Sequence, residues 1–139
     1  MPILKLLTTP ARSALMSRIR GRDTKPEMLV RRTLHALGFR FRLHVRSLPG
    51  WPDIVLPRFS TIIQVKGCFW HGHTCMDGRL PKSNTAYWIP KLTRNRQRDK
   101  ANERKLRALG WSVYSLWECR LRRCSEGELE ALLLRIIGE

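Results

Sequence analysis

A chain of 139 residues has the length of one domain and can bury a core without disulfide staples. Its 27 Lys and Arg against 11 Asp and Glu give a formal charge of +16, and the tail after Ser125 holds four of those acids and one base, so residues 1–124 alone carry 26 bases against 7 acids. A body so basic calls for a polyanion, with nucleic acid the first candidate and a ribosomal-type surface the alternative, while no apolar run approaches the ~18 residues of a membrane span.

The first 22 residues form a basic arm with no acid before Asp23. Taken alone this composition also fits an organellar transit peptide. "DTKPEMLVRRTLHALG" predicts a helix: Thr24 can cap it, Pro26 suits its first turn, Glu27 completes a T-x-x-E box and Gly38 stops it. Leu29, Val30, Thr33, Leu34 and Leu37 supply its buried stripe. "FRFRLHV" alternates apolar and basic residues as a half-exposed strand does, and after the turn "LPGWP" the runs "DIVL" and "TIIQV" read as a hairpin of two short strands.

Residues 68–90 lack periodicity and predict a long functional loop. A second helix with a dense basic face is expected in "KLTRNRQRDKANERKLRALG", then a strand in "WSVYSLWEC" and a closing helix in "ELEALLLRII", announced by the Ser125 and Glu128 capping pair. The order is helix, three strands, loop, helix, strand, helix, a mixed α/β domain over residues 23–139. Four cysteines without a secretory signal indicate reduced thiols in a cytosol, available to metals or catalysis.

"GCFWHGHTC", residues 67–75, gathers half of the chain's cysteines and histidines around two large aromatics. A metal site, a catalytic histidine and a plain hydrophobic segment all suit it. Together with "LPGWPDIVL", "TIIQVKG", "NRQRDK" and "LWEC", in that order, it resembles the very-short-patch repair endonucleases, mismatch-nicking members of the PD-(D/E)xK nuclease superfamily. The resemblance runs from about Ser13 to Leu121. It implies a restriction-endonuclease-like mixed β-sheet flanked by helices, with a zinc-stapled loop.

The resemblance also implies separate jobs for the matching residues. Asp53 would bind Mg2+ together with the main-chain carbonyl of Val65, because the superfamily's acid two residues before Lys66 is replaced here by Gln64. Glu27 would support that site through water, and its carboxylate could serve the capping box instead or as well. His71 matches the proposed general base, for which an imidazole titrating near neutrality is suited. Lys66, where a well-known relative has histidine, could handle the proton or stabilise the pentacovalent phosphate.

His73, Cys75, Asp99 and Cys119 would form a closed tetrahedral zinc site, one nitrogen, one oxygen and two thiolates. Cys68 reads as core, and Cys124 matches no ligand. Phe69 and Trp70, with Met16 from the arm, would wedge between base pairs beside the mismatch. An arm that contacts DNA through Met16 is not one that is cleaved off.

The implied protein is a monomeric, cytoplasmic, Mg2+-dependent enzyme that nicks double-stranded DNA beside the T of a T:G mismatch, with mismatch-repair proteins as candidate partners. Its rivals are a non-catalytic zinc-dependent DNA-binding module and a same-fold nuclease acting on perfectly paired DNA.

Overall fold

The computed structural model describes residues 24–68 and 84–138. Helix α1 (Lys25–Ala36) leads to β1 (Arg42–Leu43), β2 (Ile54–Leu56), a 3-10 turn (Pro57–Phe59) and β3 (Thr61–Lys66). Helix α2 (Thr85–Ala108), strand β4 (Ser112–Trp117) and helices α3 (Glu118–Arg123) and α4 (Glu126–Gly138) complete the described chain. The four strands lie in the order β1-β2-β3-β4. β1, β2 and β3 pair antiparallel, whereas β3 and β4 run parallel from Thr61 opposite Ser112 to Lys66 opposite Trp117. A parallel pair requires a crossover, and α2 lies within it.

Alternation along the central strands builds a core on each face of the sheet. Ile54, Leu56, Ile63 and Leu116 pack with Val30 and Leu34 of α1, Leu121 of α3, and Leu129, Leu132, Leu133, Ile136 and Ile137 of α4. On the other face Val55, Ile62 and Val113 pack with Leu106 of α2. Arg107 ties α2 to the sheet by donating to the Val113 carbonyl at 2.9 Å. The result is a mixed four-stranded sheet flanked by helices, as the sequence led one to expect. Among the described residues no helix is long and apolar enough to cross a membrane.

Several boundaries differ from expectation. "FRFRLHV" keeps its alternation, with Phe39, Phe41 and Leu43 packed against the core, but only Arg42 and Leu43 pair as strand. Residues 85–90, expected in the long loop, are the first turns of α2, which carries Pro90 inside it. The predicted strand "WSVYSLWEC" ends at Trp117, so Cys119 stands in the first turn of α3. The strand has run out of partner there, since β3 ends at Lys66, opposite Trp117. At α4 the reciprocal cap forms in full: Glu128 N–H donates to Ser125 Oγ at 3.2 Å and Ser125 N–H to Glu128 Oε1 at 3.1 Å. The Ser125 backbone bond, then the Ser125 side chain, holds the Glu128 carboxyl below the ordinary glutamate range.

Candidate active site

Asp53 immediately precedes β2, and three backbone contacts fix it there. Its N–H donates to Gln64 Oε1 at 3.2 Å, its carboxylate Oδ2 accepts from Val65 N–H at 2.9 Å, and its carbonyl accepts from His44 N–H at 3.0 Å. Gln64 therefore braces Asp53 through its amide and adds no charge.

Glu27 is 3 % exposed, deep for a carboxylate. A buried anion needs compensating partners: Arg31 Nη1 donates to its Oε2 at 3.3 Å, and His44 Nε2 lies 3.1 Å from the same oxygen. Thr24 Oγ1 accepts from Glu27 N–H at 3.4 Å, so the helix cap forms from the Thr24 side. The reciprocal half of the capping box is not where the carboxylate is directed: it reaches into the site.

His44 joins the two acids. Its Nε2 faces Glu27 and its Nδ1 lies 3.9 Å from Asp53 Oδ1. The residue sits at φ +46°, a left-handed conformation uncommon outside glycine, asparagine, aspartate and histidine. Strained backbone of this kind gathers at functional sites. Sequence reading missed His44 because it lies near the end of an alternating run and belongs to no motif. Its one signal is its place just ahead of the connection leading to Asp53.

One ligand atom each from Glu27, His44 and Asp53 lies within 4.8 Å of the others, so the group could hold a metal ion. Two carboxylates and an imidazole are a donor set that suits a divalent cation. At the end of β3, Lys66 Nζ lies 5.5 Å from the Trp117 ring centroid, a cation–π contact.

Met16, Phe69, Trp70, His71, His73 and Cys75 lie outside the described residues. Of the expected zinc ligands, Asp99 is partly buried on α2 and Cys119 is buried on α3. Cys68 is fully buried, as its reading as core requires.

Residues 5–77 match the family model described as DNA mismatch endonuclease Vsr, more than half of the chain. The chain belongs to the Vsr family. It is 48 % identical over 131 residues to the type II nicking enzyme V.XorIIP of Xanthomonas oryzae pv. oryzae, spanning 94 % of this chain and 95 % of that one. Against the type II nicking enzyme V.NmeAIP of Neisseria meningitidis the identity is 45 % over 84 % of each chain. Against the DNA mismatch endonuclease Vsr of Escherichia coli it is 38 %, over 90 % of this chain and 80 % of the other. This Vsr-family member is accordingly a DNA endonuclease, and its substrate is DNA.

Helix α2 of the Vsr-family chain also carries many exposed bases, distributed around more than one side of the helix. Arg94, Arg96, Arg98, Lys100 and Arg104 on α2 are all exposed. If about 6 phosphates are contacted, affinity for duplex DNA should fall roughly a thousandfold between about 50 and 200 mM salt. A nearly flat salt dependence in an anisotropy titration would reassign these residues to simple solvation of the helix.

Proposed function

We propose that the protein is a Mg2+-dependent nicking endonuclease that cuts beside the T of T:G mismatches in very-short-patch repair. The observation that carries this reading is the Glu27, His44 and Asp53 group, buried on its Glu27 side and more open at Asp53. The names of the relatives supply its two components, nicking and mismatch, one from each kind of relative.

In this reading Asp53 and the Val65 carbonyl hold the magnesium ion, and Glu27 supports the site from behind. When bound, magnesium supplies the charge that polarises the phosphate and the attacking water. The Val65 N–H on Oδ2 fixes the Asp53 carboxylate in orientation, which spares reorganisation during the reaction. His71 accepts the proton of the water, and Lys66 stabilises the phosphate as charge builds on it. His73, Cys75, Asp99 and Cys119 hold a structural zinc, with no position left for substrate.

Residues 1–22 act as a DNA-contacting arm on a single endonuclease domain of residues 23–139, and the enzyme works as a cytoplasmic monomer alongside mismatch-repair proteins. Met16, Phe69 and Trp70 form the wedge. Unstacking costs a few kcal/mol, and less beside a weakly stacked T:G pair than in intact duplex.

The test is nicking of a T:G duplex against its paired control, with and without Mg2+. Nicking should appear on the T:G duplex only and require the metal. Phe69→Ala and Trp70→Ala should lose most of that preference while keeping their zinc. Equal cutting of both duplexes would favour a nuclease of paired DNA, a reading that the name "type II nicking enzyme" leaves room for. Binding without any cutting would favour the zinc-dependent DNA-binding module.

A further inference from the structure

Trp51 stands at the tip of the β1–β2 connection and is 55 % exposed. Its backbone is at φ +49°, a region bulky residues avoid, and Pro52 behind it restricts the position further. The tip is nonetheless built firmly. Trp51 N–H donates to the Leu48 carbonyl at 3.1 Å, Leu48 N–H to Val45 at 3.3 Å, and Val45 N–H to Pro52 at 3.3 Å. Gly50 backs onto α2 so closely that a Cβ there would meet Asn102 Nδ2 at 2.8 Å.

Folding therefore accepts a strained backbone in order to hold the largest side chain largely in water. Packing within the described residues gives no return for this. What the indole does have is a cation: the Arg46 guanidinium lies 4.8 Å from its ring centroid, and Arg46 is itself exposed. An aromatic surface stacked with arginine is what a nucleotide meets on proteins that bind DNA by its sugars, bases and phosphates. Asp53 is two residues away, at most about 7 Å along the backbone. A DNA strand placed for cutting at Asp53 therefore comes within reach of the connection that carries Trp51.

We propose that Trp51 and Arg46 form a DNA-gripping pair on one flank of the cut, the indole stacking on the sugar–base unit of a nucleotide beside the cleaved phosphate and Arg46 engaging a neighbouring phosphate. The assignment rests on Asp53 as the cutting carboxylate, and its test is a binding measurement that does not depend on cleavage. Affinities for T:G and paired duplexes are measured by anisotropy without divalent cation, alongside thermal melting, for Trp51→Gly, Trp51→Phe and Arg46→Ala.

Trp51→Gly should bind both duplexes about tenfold more weakly, yet melt no lower than wild type, because glycine relieves the left-handed backbone. Trp51→Phe should recover most of the affinity by restoring a ring. Arg46→Ala should weaken binding and reduce the salt slope by about one. Wild-type affinity in Trp51→Gly would overturn the proposal and leave the exposed indole to a partner other than DNA. Melting of Trp51→Gly well below wild type would also overturn it, by making the indole a folding element. Neither outcome bears on Asp53 itself, which cleavage by Asp53→Ala tests separately.

Discussion

Asp53→Ala should remove strand cleavage, by roughly a thousandfold or more, while duplex affinity stays within about threefold of wild type. Losing the proposed principal metal ligand would forfeit several kcal/mol of charge stabilisation on the phosphate, and about 1.4 kcal/mol is a factor of ten in rate. Affinity is spared because the phosphates are held chiefly by arginines and lysines, which the substitution does not touch. The Val65 N–H would lose its acceptor at 2.9 Å, so Asp53→Asn is the companion variant: its amide oxygen can still accept that bond but carries no charge. Both variants should be inactive and folded. Undiminished nicking by either, on the duplex the wild type cuts, excludes the proposed centre.

Cys119→Ser should lose the zinc and with it about 10 °C or more of thermal stability. Structural zinc is coupled to folding, and a loss of ~3 kcal/mol corresponds to a shift of this size in a domain of this length. Burying a hydroxyl has a cost of its own, however, since Cys119 is only 6 % exposed. Cys68→Ser supplies the control, because Cys68 is fully buried and outside the ligand set. It should melt lower than wild type but retain one zinc per chain. Metal analysis that finds no zinc in the wild type, or equal melting losses and equal zinc in the two variants, would refute the site.

Helix α1 was legible in the sequence because its cap, its first-turn proline and its stripe all specify the same element. The hairpin of β2 and β3 was legible through β-branched runs on either side of a short connection through Pro57 and Arg58. Asp53 came from a motif. Where physical cues conflicted, the sequence misled: Pro90 reads as a helix breaker, yet α2 runs through it from Thr85. The apolar pattern continued past Trp117, although the strand it would have paired with had already ended.

His44 was not legible for a different reason. Its meeting with Glu27 and Asp53 depends on a left-handed backbone angle and on where β1 leaves the sheet, and no fixed spacing along the chain records either. The same is true of Trp51, which sequence reading passed over as part of a turn.

The parallel pairing of β3 with β4 has a cost of its own. The β2–β3 hairpin closes over residues 57–60, whereas the β3–β4 pair must close over residues 67–111. By the logarithmic dependence of closure entropy on length, the longer loop costs about 2 kcal/mol more. A zinc joining residues 73 and 75 to 99 and 119 would partition that loop into shorter circuits and recover part of the difference. Its removal should then be felt first in the amide protection of β4, while the hairpin that carries Asp53 keeps its own.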